Sequence, residues 1–301
     1  MNLLKTVGAT ALVTIALSTF AVAETTVTLP DVNANVYGKL SYMGYYNEDT
    51  SGNATWKSGN NASRVGIEIS EAGDMNAFGK IEVGVNVDDA GNDTFSSRLA
   101  YLGVDSPLGA ISVGRQNSVF TSVTGATDVF NVYGSNADNN QGSRLSNTLV
   151  YSTSMGPASV STLVQMDGSD SNNDIDIIET AVGFTVSVVD VNAGYSKNEN
   201  TEVDYMAVAG SMDLGPAAVT GMYNIKDDNG TETKGYELVA SVGDISVGYG
   251  EVVDGDTYIT AGIDKALTGA FSVYAEYQLE QNVSSSEEDQ NNYAVGAKVT
   301  F

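Results

Sequence analysis

Four guanidinium groups occur in this chain, at Arg64, Arg98, Arg115 and Arg144, and all lie in its first half. Arginine keeps its positive charge at any physiological pH, so these positions offer fixed electrostatics rather than acid–base chemistry. No histidine and no cysteine is present. Their absence removes the commonest general base, the commonest metal ligand, every His-dependent triad, disulfides and all thiol chemistry. Few enzyme classes survive both absences. Carboxylates are abundant: 38 Asp and Glu face 13 Lys and Arg, for a formal charge of −25. Such a field repels nucleic acid and draws cations. The aspartates gather in sets: Asp88, Asp89 and Asp93; Asp167, Asp170, Asp174 and Asp176; Asp227 and Asp228. Oxygen-rich loops can hold Ca²⁺. Asp167, Asp170 and Asp174 are the candidate ligands, but no set has the EF-hand spacing, and solvated acidic loops are the plainer reading.

The elements that would carry these residues follow from length and pattern. Residues 1–23 have the form of a cleaved secretory signal: Lys5, an uncharged apolar run from Thr6 to Phe20, then the small-x-small site Ala21-Val22-Ala23. Residues 24–301 then form a single domain. After residue 23 no run of 18 apolar residues occurs, which excludes a transmembrane helix. A chain of this kind crosses a membrane only as a closed β-barrel. Period-two alternation dominates, and segments of about ten residues recur between turns, the signature of an outer-membrane barrel.

Sixteen strands are expected near 33–46, 62–71, 77–88, 95–105, 109–116, 144–154, 157–167, 176–185, 188–197, 202–213, 216–226, 233–243, 244–252, 256–265, 270–281 and 291–301. Tight connections carry turn residues, as in Ser106-Pro107-Leu108-Gly109 and Leu214-Gly215-Pro216. Longer polar connections are expected at 47–61, 88–94, 168–175, 227–232 and 282–290. Strand faces differ sharply. Ile81, Val83, Val85 and Val87 share one face, opposite Lys80, Glu82, Gly84 and Asn86. Phe271, Val273, Ala275, Tyr277 and Leu279 alternate with Ser272, Tyr274, Glu276, Gln278 and Glu280. A soluble sandwich would show the same alternation with its apolar face inward. Tyrosines at strand ends, among them Tyr45, Tyr46, Tyr101, Tyr151, Tyr195, Tyr223 and Tyr293, favour the inverted arrangement, where they form interfacial girdles.

Parity places the arginines. Arg64 shares a face with Gly66 and Glu68, opposite Val65, Ile67 and Ile69, and Arg144 stands opposite Leu145 and Leu149. Both point to the lumen if the apolar face meets lipid. Arg98 is expected to point inward although Leu102 and Val104 share its parity, and Arg115 shares parity with Ile111 and Val113. Arg115 therefore needs a bulge or a strand end to reach water.

Several segments resemble the general bacterial porin family. They are Val36-Tyr37-Gly38-Lys39-Leu40, Ser63-Arg64-Val65-Gly66-Ile67, Ser97-Arg98-Leu99-Ala100-Tyr101-Leu102-Gly103-Val104, Gly109-Ala110-Ile111-Ser112-Val113-Gly114-Arg115-Gln116 and Ser143-Arg144-Leu145-Ser146-Asn147-Thr148-Leu149-Val150-Tyr151-Ser152-Thr153. The last strand adds Tyr293, Val295, Ala297, Val299 and Phe301 on one face. The resemblance implies an all-β transmembrane antiparallel barrel of 16 strands, commonly a homotrimer. It also implies a third extracellular loop, about 117–143, folded inward as a constriction. In the family, arginines of the wall face acids of that loop, and here the loop offers Asp128 and Asp138. Glu68 and Glu82, with Lys39 and Lys80, would complete the lumen. Phe301 and Tyr293 would be read by the outer-membrane assembly machinery, and lipid and lipopolysaccharide would surround the barrel.

The expected activity is passive diffusion of ions and small hydrophilic solutes through a water-filled pore in the outer membrane of a Gram-negative bacterium. Cations are expected to be preferred, and no cofactor is needed beyond the Ca²⁺ considered above. Three other readings are a channel selective for one nutrient, a surface or receptor barrel with a plugged lumen, and a barrel enzyme. The last has no supporting constellation without histidine.

Overall fold

A computed structural model of the chain describes residues 32–49, 51–71, 75–88, 94–168, 174–281 and 288–301. The expected signal, residues 1–23, lies outside these, as do Asp89, Asp93 and Asp170. The elements run β1 (Val32–Glu48), β2 (Ala54–Asn60), β3 (Arg64–Glu71), β4 (Asn76–Val85), β5 (Phe95–Ser106) and β6 (Gly109–Asn117). A one-turn helix α1 (Thr121–Thr124) and a 3-10 turn (Gly125–Thr127) follow. Then come β7 (Arg144–Met155), β8 (Ala158–Gln165), β9 (Ile177–Val186), β10 (Val189–Asn198), β11 (Val203–Asp213) and β12 (Ala217–Asp228). The set closes with β13 (Thr231–Val242), β14 (Ile245–Val252), β15 (Thr257–Ala266), β16 (Phe271–Gln281) and β17 (Gln290–Thr300).

Every strand pairs antiparallel with its neighbours, and β17 returns to β1 with Lys39 opposite Thr300 and Asn47 opposite Asn292. The sheet is thus a closed barrel. The long β1 meets β2 along its second half and β3 along its first. β2 and β3 are therefore two halves of one stave, broken where Ala62 adopts φ 51°, and the barrel has 16 staves. Two connections differ from the sequence expectation. Residues 54–60 are strand rather than loop. Residues 227–232 hold only a two-residue turn, because Asn229 and Gly230 both take positive φ, 53° and 89°, the geometry a tight hairpin requires.

The barrel is inside out relative to a soluble protein. Ile81, Leu102, Leu238, Val295 and many other large apolar side chains are exposed, whereas Glu82, Glu179, Asn224, Glu237, Thr260, Glu276 and Gln278 are buried. The outward face is thus a hydrocarbon surface, on which a charge at mid-membrane costs roughly 2–4 kcal/mol. Outward aromatics cluster at the long-loop end: Tyr46 packs on Trp56 and Tyr293, and Tyr293 on Tyr277.

Candidate functional site

Local backbone irregularities decide where the arginines point. Between β4 and β5 the register shifts as Glu82 pairs with Leu99 and Val83 with Ser97, which leaves Arg98 as the extra residue. Between β6 and β7 a second shift falls between Gly114 and Gln116, where Ser146 and Asn147 of β7 together oppose Arg115, and Asn147 takes φ 55°. A bulge puts two adjacent residues on one side of the strand. Arg98 thereby leaves the parity of Leu102 and Val104, whereas Arg115 keeps the β6 register and pairs with Ala100 on β5. Gly114 flanks the second bulge on β6, with φ 128°. A Cβ there would stand 2.3 Å from the Ala100 carbonyl oxygen.

Lys39, Arg64, Lys80, Arg98 and Arg144 converge on one cavity of about 400 Å³, together with Tyr37, Glu82 and Leu99. Glu82 accepts from Arg98 Nε at 2.5 Å and from the Tyr37 hydroxyl at 2.9 Å, and stands 3.6 Å from Arg64. Lys80 donates to Glu68 at 2.7 Å and lies 4.6 Å from the centre of the Tyr37 ring. Arg115 donates to Ser146 Oγ at 2.7 Å, while its Nε is buried without a partner. These groups come from β1 and from β3 to β7, one contiguous arc of the wall.

The connection from β6 to β7 is fastened to the rest of the wall. Phe120 and Val123 bury their side chains in a cluster with Leu163, Tyr205, Ala207 and Met222, on β8, β11 and β12. Burial of an apolar side chain of this size stabilises by about 1.5–3 kcal/mol. Three wall carboxylates then take up backbone N–H groups of the connection. Glu179 on β9 accepts from Phe120 at 3.1 Å and from Ser118 Oγ at 2.8 Å. Glu237 on β13 accepts from Ala137 at 3.1 Å and from the hydroxyls of Thr127 and Tyr258. Glu276 on β16 accepts from Asn131, Val132 and Tyr133, at 2.5, 2.9 and 3.0 Å. Asn224 accepts from Asn139 and donates to the Ala137 carbonyl, and Lys298 reaches Asn131 Oδ1 at 2.7 Å. The sequence alone does not single out Glu179, Glu237 or Glu276 for this role. Their only signal is a glutamate on the polar face of a strand, which does not say what it will hold.

The connection's own acids do not meet the arginines. Asp138 accepts from Asn140 at 2.6 Å, and its other oxygen is buried without a partner. Its acidic neighbours are Asp128 and Glu237, and Asp128 in turn neighbours Glu276. Burial holds the Asp138 carboxyl above the usual carboxylate range, although Thr124 and Asn140 pull it down, and Asp128 adds a smaller upward push. Burial also pushes the Tyr133 hydroxyl up to about 12. The acids expected to oppose the arginines thus pack toward wall acids instead.

The remaining expected residues lie elsewhere. Phe301 follows β17, exchanges backbone hydrogen bonds with Gly38 and lays its ring beside it. Tyr293 faces outward in the aromatic cluster. Among the described residues no three His, Cys, Asp or Glu side chains form a group suited to a metal. Near Asp167, the Asp176 carboxylate is engaged by the N–H groups of Asp167 and Gly168 and by Asn200. Those contacts fasten the start of the acidic loop to β9.

The sequence matches the Gram-negative porin family over residues 8–298. The chain belongs to that family. The porin barrel is also similar to solved structures, at identities that speak for the fold alone. Salmonella typhi OmpF, in a complex with daunomycin, shares 19% identity at a TM-score of 0.73, over 89% of this chain and 97% of that one. A trimer form of OmpT, an outer membrane protein of Vibrio cholerae, shares 18% at 0.71, over 90% and 99%. The outer membrane channel DcaP of Acinetobacter baumannii shares 14% at 0.70, over 90% and 97%. No curated protein matches the porin's sequence. Family and fold together make it an outer-membrane channel protein.

Proposed function

We propose that this porin is a water-filled channel through which ions and small hydrophilic solutes diffuse passively, with no chemical step. The observation that carries the reading is the division of the wall. One arc fastens residues 118–141 through Glu179, Glu237 and Glu276, and the other presents the basic cavity. In this reading the connection narrows the lumen without filling it. Width then limits solute size, and wall charge biases which ions pass. The chain's formal charge of −25 favours cations at the mouths, and the basic arc weakens that preference inside.

The same reading includes export through the periplasm with removal of residues 1–23, assembly assisted by Phe301, and a homotrimer surrounded by lipid and lipopolysaccharide. The trimer form of the similar V. cholerae protein supports the last point. No nucleic acid and no bound cofactor enter the mechanism. The test is current through purified, folded protein in a planar bilayer under a KCl gradient. Stable steps with a reversal potential on the K⁺ side are expected. A correctly folded barrel that gives no steps would sink the proposal.

A further inference from the structure

The acids of the β6–β7 connection turn away from the arginines, and this leaves the basic cavity short of negative charge. Five cationic side chains line it: Lys39, Arg64, Lys80, Arg98 and Arg144. Glu82 is its one lining carboxylate and is already shared between Arg98 and Arg64. Lys80 takes Glu68. Lys39 and Arg144 have no carboxylate within 4.0 Å among the described residues. Arg115, near Arg144, donates to the neutral Ser146 and has no carboxylate within 4.0 Å among the described residues. The cavity is therefore strongly positive inside a strongly negative chain.

Like charges held this close repel, and water screens them only in part. A solute that brings two negative charges at once relieves more of that repulsion than chloride can. Guanidinium forks suit the paired oxygens of carboxylate and phosphate, while an ammonium supplies a point charge beside them. Single anions would pass, and a small dianion would dwell.

We propose that this cavity is a binding subsite for small dianionic solutes, dicarboxylates or phosphate, with Lys39 and Arg144 as its principal anchors. The proposal rests on the channel reading and names a solute class for the same lumen. Glu82 acts against binding, because it occupies two of the guanidinium groups that a solute would use.

The experiment measures block of K⁺ current by succinate and by inorganic phosphate at fixed ionic strength. Calorimetric titration of the same anions into detergent-folded barrels reads the subsite without current. Both anions are expected to bind and to block in a saturable way. If only succinate does, the subsite is specific for dicarboxylates, and if only phosphate does, for phosphate; each supports it. Arg144→Gln and Lys39→Gln should each weaken block about tenfold, the loss of one charge-assisted hydrogen bond. Glu82→Gln should strengthen it. Lys234→Gln removes the same charge from a lysine paired with Glu232 on β13, and should leave block as in the unaltered protein. Current without block, together with no heat of binding, overturns the subsite and leaves the channel reading standing. Block that is equal in all four variants also overturns it. Binding heat without current would preserve the subsite and refute the open channel.

Discussion

A buried charge with no opposite charge beside it is costly at the scale of one side chain, and Asp138 is such a charge among the described residues. One of its oxygens is buried without a hydrogen bond, and its charged neighbours are acids. Its carboxyl is raised in the folded state. A raised acid contributes stability that is fully present below its unfolded pKa and is lost as pH rises through the folded one. The ionised form at neutral pH is therefore a liability. Asp138→Asn is expected to stabilise the barrel at pH 7 by about 1 kcal/mol. The advantage should vanish as pH falls into the ordinary carboxylate range, where Asp138 carries its proton. Urea unfolding of the detergent-folded protein at pH 7 and pH 4 checks this. An Asn variant that is less stable than the unaltered chain at pH 7 would show the charge to be compensated after all.

At the scale of strands, the bulges matter more than the average alternation. Gly114 sits at φ 128° with no room for a Cβ against Ala100 and Tyr101. Gly114→Ala should cost about 2 kcal/mol or more, because strain and backbone overlap add. Urea midpoints measure the loss, and an unchanged midpoint would mean that the bulge relaxes freely. The parity of Arg98 already announces the β5 bulge in the sequence, since an inward arginine cannot share a lipid face with Leu102 and Val104. The alternation elsewhere is equally legible, because a barrel wall with water inside and lipid outside writes its two faces into every strand. The short half-stave β2 is not, because Ala54-Thr55-Trp56-Lys57-Ser58-Gly59-Asn60 has too weak an apolar pattern. The Asn229-Gly230 turn hides among acidic neighbours that suggest a longer loop. The docking glutamates stay hidden for a different reason. Glu276 and Tyr133 are 143 residues apart, and nothing local in either segment records their meeting.

At the scale of the whole molecule, charge acts over distance and salt limits it. The preference for K⁺ proposed above comes from the summed field of an acidic chain. It should decline as KCl rises from about 0.1 M, where the screening length is near 10 Å, to 1 M, where it is about 3 Å. Reversal potentials at fixed gradient ratio measure the decline. A preference that does not change with salt would place its origin in short-range contacts at the narrowest point instead.

The connection between β6 and β7 is anchored chiefly on β9, β13 and β16, with a tie from Tyr133 to Asn47 of β1, while the cations stand on β1 and β3 to β7. In the channel reading proposed above, an opening bounded in this way would be a slot rather than a ring. A slot sorts molecules by their thinnest dimension, so a flat solute should pass more readily than a rounded one of equal mass. It would also be turned edge-on as it passes, with one rim against guanidinium groups and the other against asparagines.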